Sequence, residues 1–307
     1  AEIADRVTVL RAGKVISTIE RSEIDIDALA SMMVGRDFVF NSTHVDAEQT
    51  GVVLKVRDLR CFSDRKLEAL HGLNFSINGG EVLGIAGVSG NGQSELAEVL
   101  TGMRHATNGS IRIEGEETLN FTPRQLYRRR LAHVPEDRQR VGLQMGFSVQ
   151  ENSVMGVYAD PPYAKWRWVN TAAIRRHAEK LVEEFSIKTP SIETPAKLLS
   201  GGNQQKLILG RELAKDPKVL VAVQPTRGLD IGATDFVQGQ IAAAKQRGTA
   251  VLYISTELEE ILKMSDSIGV MFAGKLFGPF PAKEMNVDRI GAMMTGTWKE
   301  VPQDEEP

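Results

Sequence analysis

Gly87-Val88-Ser89-Gly90-Asn91-Gly92-Gln93-Ser94 has the spacing of a phosphate loop, GxxxxGK[ST], with a glutamine where the lysine belongs. In such a loop the glycines bring backbone N–H groups onto phosphate oxygens, the lysine neutralises the outer phosphates and the hydroxyl holds magnesium. The glycines and Ser94 are present here; the cation is not. Residues 81–86 form a short apolar run that reads as a strand, and 94–100 carry apolar residues at helical spacing, so the loop lies between strand and helix as the motif requires. Glycines also serve strand-to-helix turns that bind nothing, and the loop alone leaves both readings open.

A second glycine run, Leu199-Ser200-Gly201-Gly202-Asn203, is followed by Gln204-Gln205-Lys206-Leu207-Ile208-Leu209-Gly210-Arg211-Glu212-Leu213, with apolar or small residues at helical intervals. Ser200 is the expected N-cap, and the two glycines would let a phosphate approach the helix N-terminus. These residues resemble the signature sequence and following helix of ABC-transporter nucleotide-binding domains. The stretch 218–230, ending Gln224-Pro225-Thr226-Arg227-Gly228-Leu229-Asp230, resembles that family's Walker B strand and D-loop. Ala250-Val251-Leu252-Tyr253-Ile254-Ser255-Thr256-Glu257-Leu258 resembles its switch segment. The four motifs stand in the family's order. The resemblance implies an α/β fold, an ABC-type P-loop ATPase domain with a mixed sheet core, an antiparallel β subdomain and an inserted helical subdomain. It also implies ATP and Mg2+ as cofactors. Gly87, Ser89, Gly90, Asn91, Gly92, Gln93 and Ser94 become the ATP-binding positions, with Ser94 the metal ligand, and Gly228, Leu229 and Asp230 the D-loop.

The departures from the family pattern carry chemical consequences. Val223 stands at the Walker B aspartate position, Gln224 at the general-base glutamate, Thr256 at the switch histidine and Gln93 at the lysine. Phosphoryl transfer depends on positioning and on neutralising phosphoryl charge, so the lost lysine removes a charge-assisted bond. Losing one partner of a buried charge pair costs roughly 2–5 kcal/mol. Val223 cannot accept from magnesium's water shell, and Gln224 can orient a water but cannot take its proton. No catalytic group is intact in cis. The chain's own site is expected to hold nucleotide and Mg2+ weakly or not at all, and the isolated chain to show little or no ATPase activity. Glu136, in Leu131-Ala132-His133-Val134-Pro135-Glu136-Asp137-Arg138, stands at the Q-loop position; Asp137 and Arg138 read equally well as part of a surface turn.

An internal repeat bears on why such a site exists. Shifting the chain by 261 residues aligns 5–35 on 266–296 without a gap, with ten identities over these 31 positions, including Ala12-Gly13-Lys14 on Ala273-Gly274-Lys275. The expected organisation is therefore 1–36 as the tail of a preceding ABC cassette, 37–51 as a linker, 52–296 as the nucleotide-binding domain with its helical subdomain at about 140–200, and 297–307 as a flexible C-terminal tail. ABC cassettes sandwich ATP between one domain's Walker motifs and the other's signature. This chain would lend Leu199, Ser200, Gly201, Gly202 and Asn203 in trans to a competent site on the preceding cassette, or on a homologous one.

Composition agrees. A formal net charge of -3 with 25% charged residues gives no basic excess to suggest nucleic acid, and the single Cys61 excludes an intrachain disulfide framework. The five histidines show no paired metal-ligand spacing. No run approaches the ~18 apolar residues of a spanning helix, so attachment to the cytoplasmic face of the cell membrane would come through transmembrane permease subunits, with an extracytoplasmic substrate-binding protein as an indirect partner. Strands are expected over 52–59, 73–77 and 110–113, and an amphipathic helix over 172–185. The cluster Lys165-Trp166-Arg167-Trp168 reads either as a permease contact or, preferred here, as two tryptophans anchoring the helical region to the core. Phe62 could stack on an adenine or be an ordinary core or rim residue. The pattern resembles the second cassette of importers for nucleosides and simple sugars, closer to the former. The rival readings are an independently active ABC ATPase and a non-transport ABC protein acting on nucleic acid or ribosomes.

Overall fold

A computed structural model describes residues 5–11, 14–23, 32, 46–166 and 168–297. Residues 37–45 of the expected linker and 298–307 of the expected tail lie outside them. Two hairpin strands open the chain, β1 (Arg6–Arg11) and β2 (Lys14–Glu20), followed by a 3-10 turn, Arg21–Glu23. Next come β3 (Val52–Phe62), β4 (Glu68–Asn78) and β5 (Val82–Ala86), then helix α1 (Gln93–Leu100). β6 (Asn108–Ile113), β7 (Glu116–Glu117), α2 (Pro123–Arg128) and β8 (Leu131–Val134) follow. A helical region holds α3 (Val149–Ser153), the short strands β9 (Ala164–Lys165) and β10 (Trp168–Val169), and α4 (Thr171–Glu184). The chain continues through α5 (Gly201–Leu213), β11 (Val219–Val223), α6 (Ile231–Gln246), β12 (Ala250–Ser255) and α7 (Leu258–Met264). It closes with β13 (Ser267–Phe272), β14 (Lys275–Pro281), a 3-10 turn at Ala282–Glu284 and α8 (Val287–Met294). The strands expected at 52–59, 73–77 and 110–113 are all present and longer than the sequence suggested.

The main sheet has the order β14-β13-β5-β12-β11-β8, parallel except for the β13/β14 hairpin. Its central strands read as unbroken apolar runs because both faces are covered. The side chains nevertheless divide with period two. Val82 and Ala86 of β5, Leu220 and Ala222 of β11, and Val251 and Tyr253 of β12 enter a core shared with α5, α6, α7 and α8. Leu83 and Ile85, Val219, Val221 and Val223, and Ala250, Leu252 and Ile254 enter a second core on the opposite face. There α1 lies between the main sheet and an antiparallel sheet of order β4-β3-β6-β7. Leu96, Val99 and Leu100 are almost wholly buried in that core, each worth about 1.5–3 kcal/mol against exposure. This is the mixed sheet with an antiparallel β layer that the sequence implied.

The repeat reappears in the structure. The two hairpins and the two 3-10 turns have boundaries that match residue for residue at the 261 offset. Arg21 N–H donates to the Asp5 carbonyl at 2.9 Å, and Ala282 N–H to the Asp266 carbonyl at 2.9 Å. The environments differ. Met271 of β13 is fully buried, whereas its counterpart Leu10 in β1 is 64% exposed.

One expectation is overturned. Trp166 and Trp168 are 85% and 76% exposed at the β9/β10 hairpin, so they do not anchor the helical region to the core. That region is held by apolar residues such as Val149, Leu181 and Phe185, which enter the core shared with α5, and by polar side chains. The Asn152 amide, fully buried, donates to the carbonyls of Gln144, Phe147 and Ser148 and its oxygen accepts the Gln144 N–H. A buried ionic cluster then joins α5 to β8: Glu212 accepts from Arg211 Nε at 3.0 Å and from the His133 backbone N–H at 3.2 Å, and pairs with Lys215, while Arg211 also donates to the Gly142 carbonyl at 2.9 Å. A buried carboxylate with this many partners stays ionised, and removing one partner would strand the others.

Burial pushes the His133 imidazole down to about 4, with Lys215 and Arg211 adding to the effect and Glu212 opposing it. The fold therefore favours the neutral ring, and this contribution is present above the ordinary value of 6.5 and is lost as pH falls toward 4. Between pH 7 and pH 4.5 the unfolding free energy should drop by about 2 kcal/mol more in the parent than in His133→Gln, measured by urea titration. Equal drops would show that His133 does not titrate on unfolding.

Candidate functional site

The carboxyl ends of β5, β12 and β11 meet at one edge of the main sheet, where a parallel α/β sheet places ligands. The loop from Gly87 to Gly92 leaves β5 there and enters α1. Gly90 and Gly92 have φ of +91° and +107°, a region only glycine enters freely, and a Cβ at Gly92 would meet the Ala69 carbonyl at 2.9 Å. Asn91 fixes the loop from within and without. Its Nδ2 donates to the Val88 carbonyl at 2.9 Å, its Oδ1 accepts the Ala273 N–H at 2.7 Å, and its carbonyl accepts the Gly274 N–H at 3.1 Å. The Ala273-Gly274 turn of the repeated hairpin thus braces the glycine loop.

Gly87, Ser89, Gly90, Gln93, Ser94, Val223, Gln224 and Thr256 line one small cavity of about 70 Å³ together with Glu136, Ile254 and Ser255. The four positions at which the sequence departs from the family pattern are therefore neighbours in space. Two of them donate to protein acceptors. Gln93 Nε2 donates to the Val88 carbonyl at 3.1 Å, and Gln224 Nε2 donates to Thr256 Oγ1 at 3.1 Å. Gln224 holds φ of +48°, strained for a non-glycine residue, with its N–H on the Ile254 carbonyl at 2.8 Å. Glu136 is the only ionisable residue in the lining, and its carboxylate is paired with Arg227.

The loop suits a phosphate group in shape and the lining does not match it in charge. A glycine cradle at a helix start suits phosphate, but a polyanion would meet no cation in the lining and one carboxylate. Mg2+ demands several oxygen ligands in near-octahedral array. The Ser94 hydroxyl is the one oxygen donor in the lining at a position expected to bind metal; Val223 supplies none. Among the described residues no cluster of three or more His, Cys, Asp or Glu could hold a metal ion. Of the positions at which the resemblance places magnesium contacts, Ser94 alone keeps an oxygen donor and Val223 does not.

The signature residues sit elsewhere on the surface, at the start of α5. Ser200 occupies the N-cap position as expected, with φ of −63° and ψ of 157°, but its side chain makes no capping bond and instead accepts Asn203 Nδ2 at 2.9 Å. Asn203 Oδ1 accepts the Lys188 N–H at 2.8 Å. Leu199 is buried; Gly201 and Gly202 are partly exposed. Asp230 caps α6 through the Ala233 N–H at 2.8 Å, and Gly202 lies close enough to Ala233 that an added Cβ would sit 3.2 Å away. The turn 224–230 also supports α5: Gln205 Nε2 donates to the Pro225 carbonyl at 2.7 Å, and Arg138, whose guanidinium flanks Gly201, donates to the Arg227 carbonyl at 3.0 Å. Arg138 is thus part of the junction, not merely a turn residue.

Glu260 carried no signal in the sequence, yet it organises this edge. It accepts from Thr226 Oγ1 at 2.6 Å, Tyr253 Oη at 3.1 Å and Ser255 Oγ at 3.2 Å, tying the turn after β11 to the end of β12. Burial, with the nearby Glu260 charge, raises the Tyr253 phenol well above its ordinary value, so it stays protonated as donor. Phe62 is 50% exposed, a rim position. A separate apolar cavity of about 570 Å³ opens in the helical region, lined in part by Phe147, Val154, Met155, Tyr158, Val169 and Ile174.

Residues 70–227 match the family model described as ABC transporter. The chain is 40% identical over 295 residues to a guanosine import ATP-binding protein of Bacillus subtilis and 38% identical over 294 residues to a nucleoside import ATP-binding protein of Lactococcus lactis. Both alignments cover 96% of this chain and 58% of the relative. A glucose import ATP-binding protein of Haloferax volcanii is 40% identical, over 96% of this chain and 54% of its own length. The chain therefore spans less than two thirds of the length of these relatives. Among solved structures, a nucleotide-free ATP-binding cassette from an ABC transporter superposes with a TM-score of 0.64 at 26% identity, covering 76% of this chain and 93% of the other. An ATP-binding cassette in its ADP conformation gives 0.63 at 25% identity, covering 80% and 96%.

Glu260→Ala would leave the buried Tyr253 and Ser255 hydroxyls without their acceptor, at roughly 1–3 kcal/mol for each unsatisfied group. Urea unfolding should show a loss of about 2–4 kcal/mol, with Glu260→Gln losing less. A change below the error of the titration would mean that the three hydroxyls find other partners.

Proposed function

The chain belongs to the ABC transporter family, and on that premise we propose that it is the second cassette of a tandem importer ATPase, which lends its signature to a competent ATP site while its own site is degenerate. The observation that carries this reading is the contrast between the two ends of the domain. Leu199, Ser200, Gly201, Gly202 and Asn203 form an ordered helix start with the glycines open to an incoming phosphate. Gln93, Val223, Gln224 and Thr256, at positions where the family places lysine, aspartate, glutamate and histidine, close a small cavity lined by no cation. A group that cannot abstract a proton and a cradle that cannot neutralise phosphoryl charge do not accelerate hydrolysis in cis. They do allow the domain to serve as the opposite jaw of a dimer.

The repeated hairpin supports the tandem arrangement. In β13 the edge away from β14 pairs in parallel with β5 along Ile268, Gly269 and Val270. The matching positions Val7, Thr8 and Val9 of β1 would pair in the same way with a strand of a preceding cassette, and Leu10 would be covered as Met271 is. The domain boundaries follow, with 1–36 belonging to that cassette and 52–296 to this one. The names of the curated relatives point to a nucleoside or a simple sugar as cargo, nucleosides being the closer match by residues 90–96 and 224–230. Membrane permease subunits are the proposed partners of the helical region, whose apolar cavity and exposed Trp166 and Trp168 face outward. The substrate-binding protein acts through them, and the chain works at the cytoplasmic face of the membrane.

ATP turnover should be absent with this chain alone and appear on addition of a cassette with complete Walker residues from the same transporter. In that mixture Ser200→Arg should cut turnover by about a hundredfold or more, the scale of losing a transition-state donor. Efficient hydrolysis by the chain alone would sink the proposal.

A further inference from the structure

The Gln93 side chain turns back into the loop that precedes it. Besides donating to the Val88 carbonyl, it accepts the backbone N–H of Asn91 on Oε1 at 3.2 Å. It is 7% exposed, and its amide packs so closely on Gly87 that a Cβ there would collide with it. A lysine at this position could make the first of these bonds but not the second, since an ammonium has three donors and no acceptor. The second bond consumes a backbone donor of the kind that a phosphate loop aims at anionic oxygen.

We infer that Gln93 is an internal occupant of the glycine loop, its carboxamide oxygen holding the Asn91 N–H that a phosphate oxygen would otherwise engage, so that Gln93 sets the nucleotide affinity of this site by competition. The inference rests on the reading of residues 87–94 as a phosphate loop, and it changes what the substitution means. A missing lysine weakens binding by removing an attraction; an occupying glutamine weakens it further by adding a rival acceptor. The two accounts differ in sign for a truncated side chain. If only charge matters, replacing Gln93 with another uncharged residue leaves nucleotide affinity unchanged or lowers it. If Gln93 occupies the loop, removing its carboxamide raises affinity although no cation has been added. Occupation also bonds the loop on two sides: Gln93 holds it from inside, and Asn91 holds it to the Ala273-Gly274 turn from outside.

The test compares the 307-residue chain with Gln93→Ala, Gln93→Met and Gln93→Lys, measuring ATP affinity with Mg2+ by titration calorimetry and exchange of the Asn91 amide hydrogen by NMR. Thermal unfolding of each variant establishes that it is folded, and Met keeps the length of the side chain should Ala not fold. Loss of one competing neutral hydrogen bond corresponds to about two- to tenfold in affinity. Gln93→Ala and Gln93→Met should therefore bind ATP about two- to tenfold more tightly than the parent, with faster exchange at Asn91, and Gln93→Lys more tightly still. If only Gln93→Lys gains affinity while Ala and Met equal or fall below the parent, the loop binds phosphate and is weakened by charge alone, and the inference is overturned. If even Gln93→Lys binds no nucleotide, the phosphate-loop reading itself fails and the inference falls with it.

Discussion

The burial of α1 between two sheets fixes where everything else at this site can be. Its apolar face is committed to the core beneath the main sheet on one side and to the antiparallel layer on the other, so its N-terminus is held at the carboxyl edge of β5. The glycine loop must then close the short distance between them with left-handed turns at Gly90 and Gly92. With the loop so placed, the ends of β12 and β11 lie beside it, because β12 pairs in register with β5 and β11 pairs in register with β12. The geometry of a nucleotide cassette is therefore a property of the packing and survives whatever side chains are set upon it.

The side chains set upon it here replace attraction to an external polyanion with bonds among neighbours. A cassette that hydrolyses ATP must leave its donors and charges unsatisfied by protein so that they can be satisfied by nucleotide and metal. That poise costs stability, since unpaired buried polar groups are expensive. In this chain Gln93 bonds its own loop, Gln224 bonds Thr256, and Glu136 pairs with Arg227. Each is a neutral or internally neutralised contact. On the proposed reading a pocket organised in this way serves as a scaffold for the opposite jaw of the dimer.

Motifs, order of elements and the repeat were legible from the sequence because each rests on a local rule: glycine where φ is positive, apolar runs where both sheet faces are covered, a constant offset between matched turns. The four departing positions could be named, and the sheet brings them together. What the sequence did not disclose depends on direction. Nothing in the residue types says that Gln93 turns inward, that Ser200 bonds Asn203 instead of capping α5, or that Glu260 gathers three hydroxyls from two strand ends. The tryptophans failed for a related reason. Indole is usually buried, which favoured an anchor, but Trp166 and Trp168 stand exposed on the short β9/β10 hairpin.

The segment that follows β11 is also a brace for the signature helix. Residues 224–230 face the small cavity at Gln224, and their backbone carries the signature helix. The Pro225 carbonyl receives Gln205, the Arg227 carbonyl receives Arg138 beside Gly201, and Asp230 caps the helix against which Gly202 packs. Glu260, through Thr226, ties this turn to β12. A change in the cavity that moved Gln224 would therefore be transmitted along one short turn to the glycines of α5, without passing through the helical region at all. On this argument the cavity and the signature are coupled by covalent continuity and four hydrogen bonds. The main requirement placed on the cavity residues is that they hold the turn in one position, which mutually bonded neutral side chains satisfy at least as well as charged ones would.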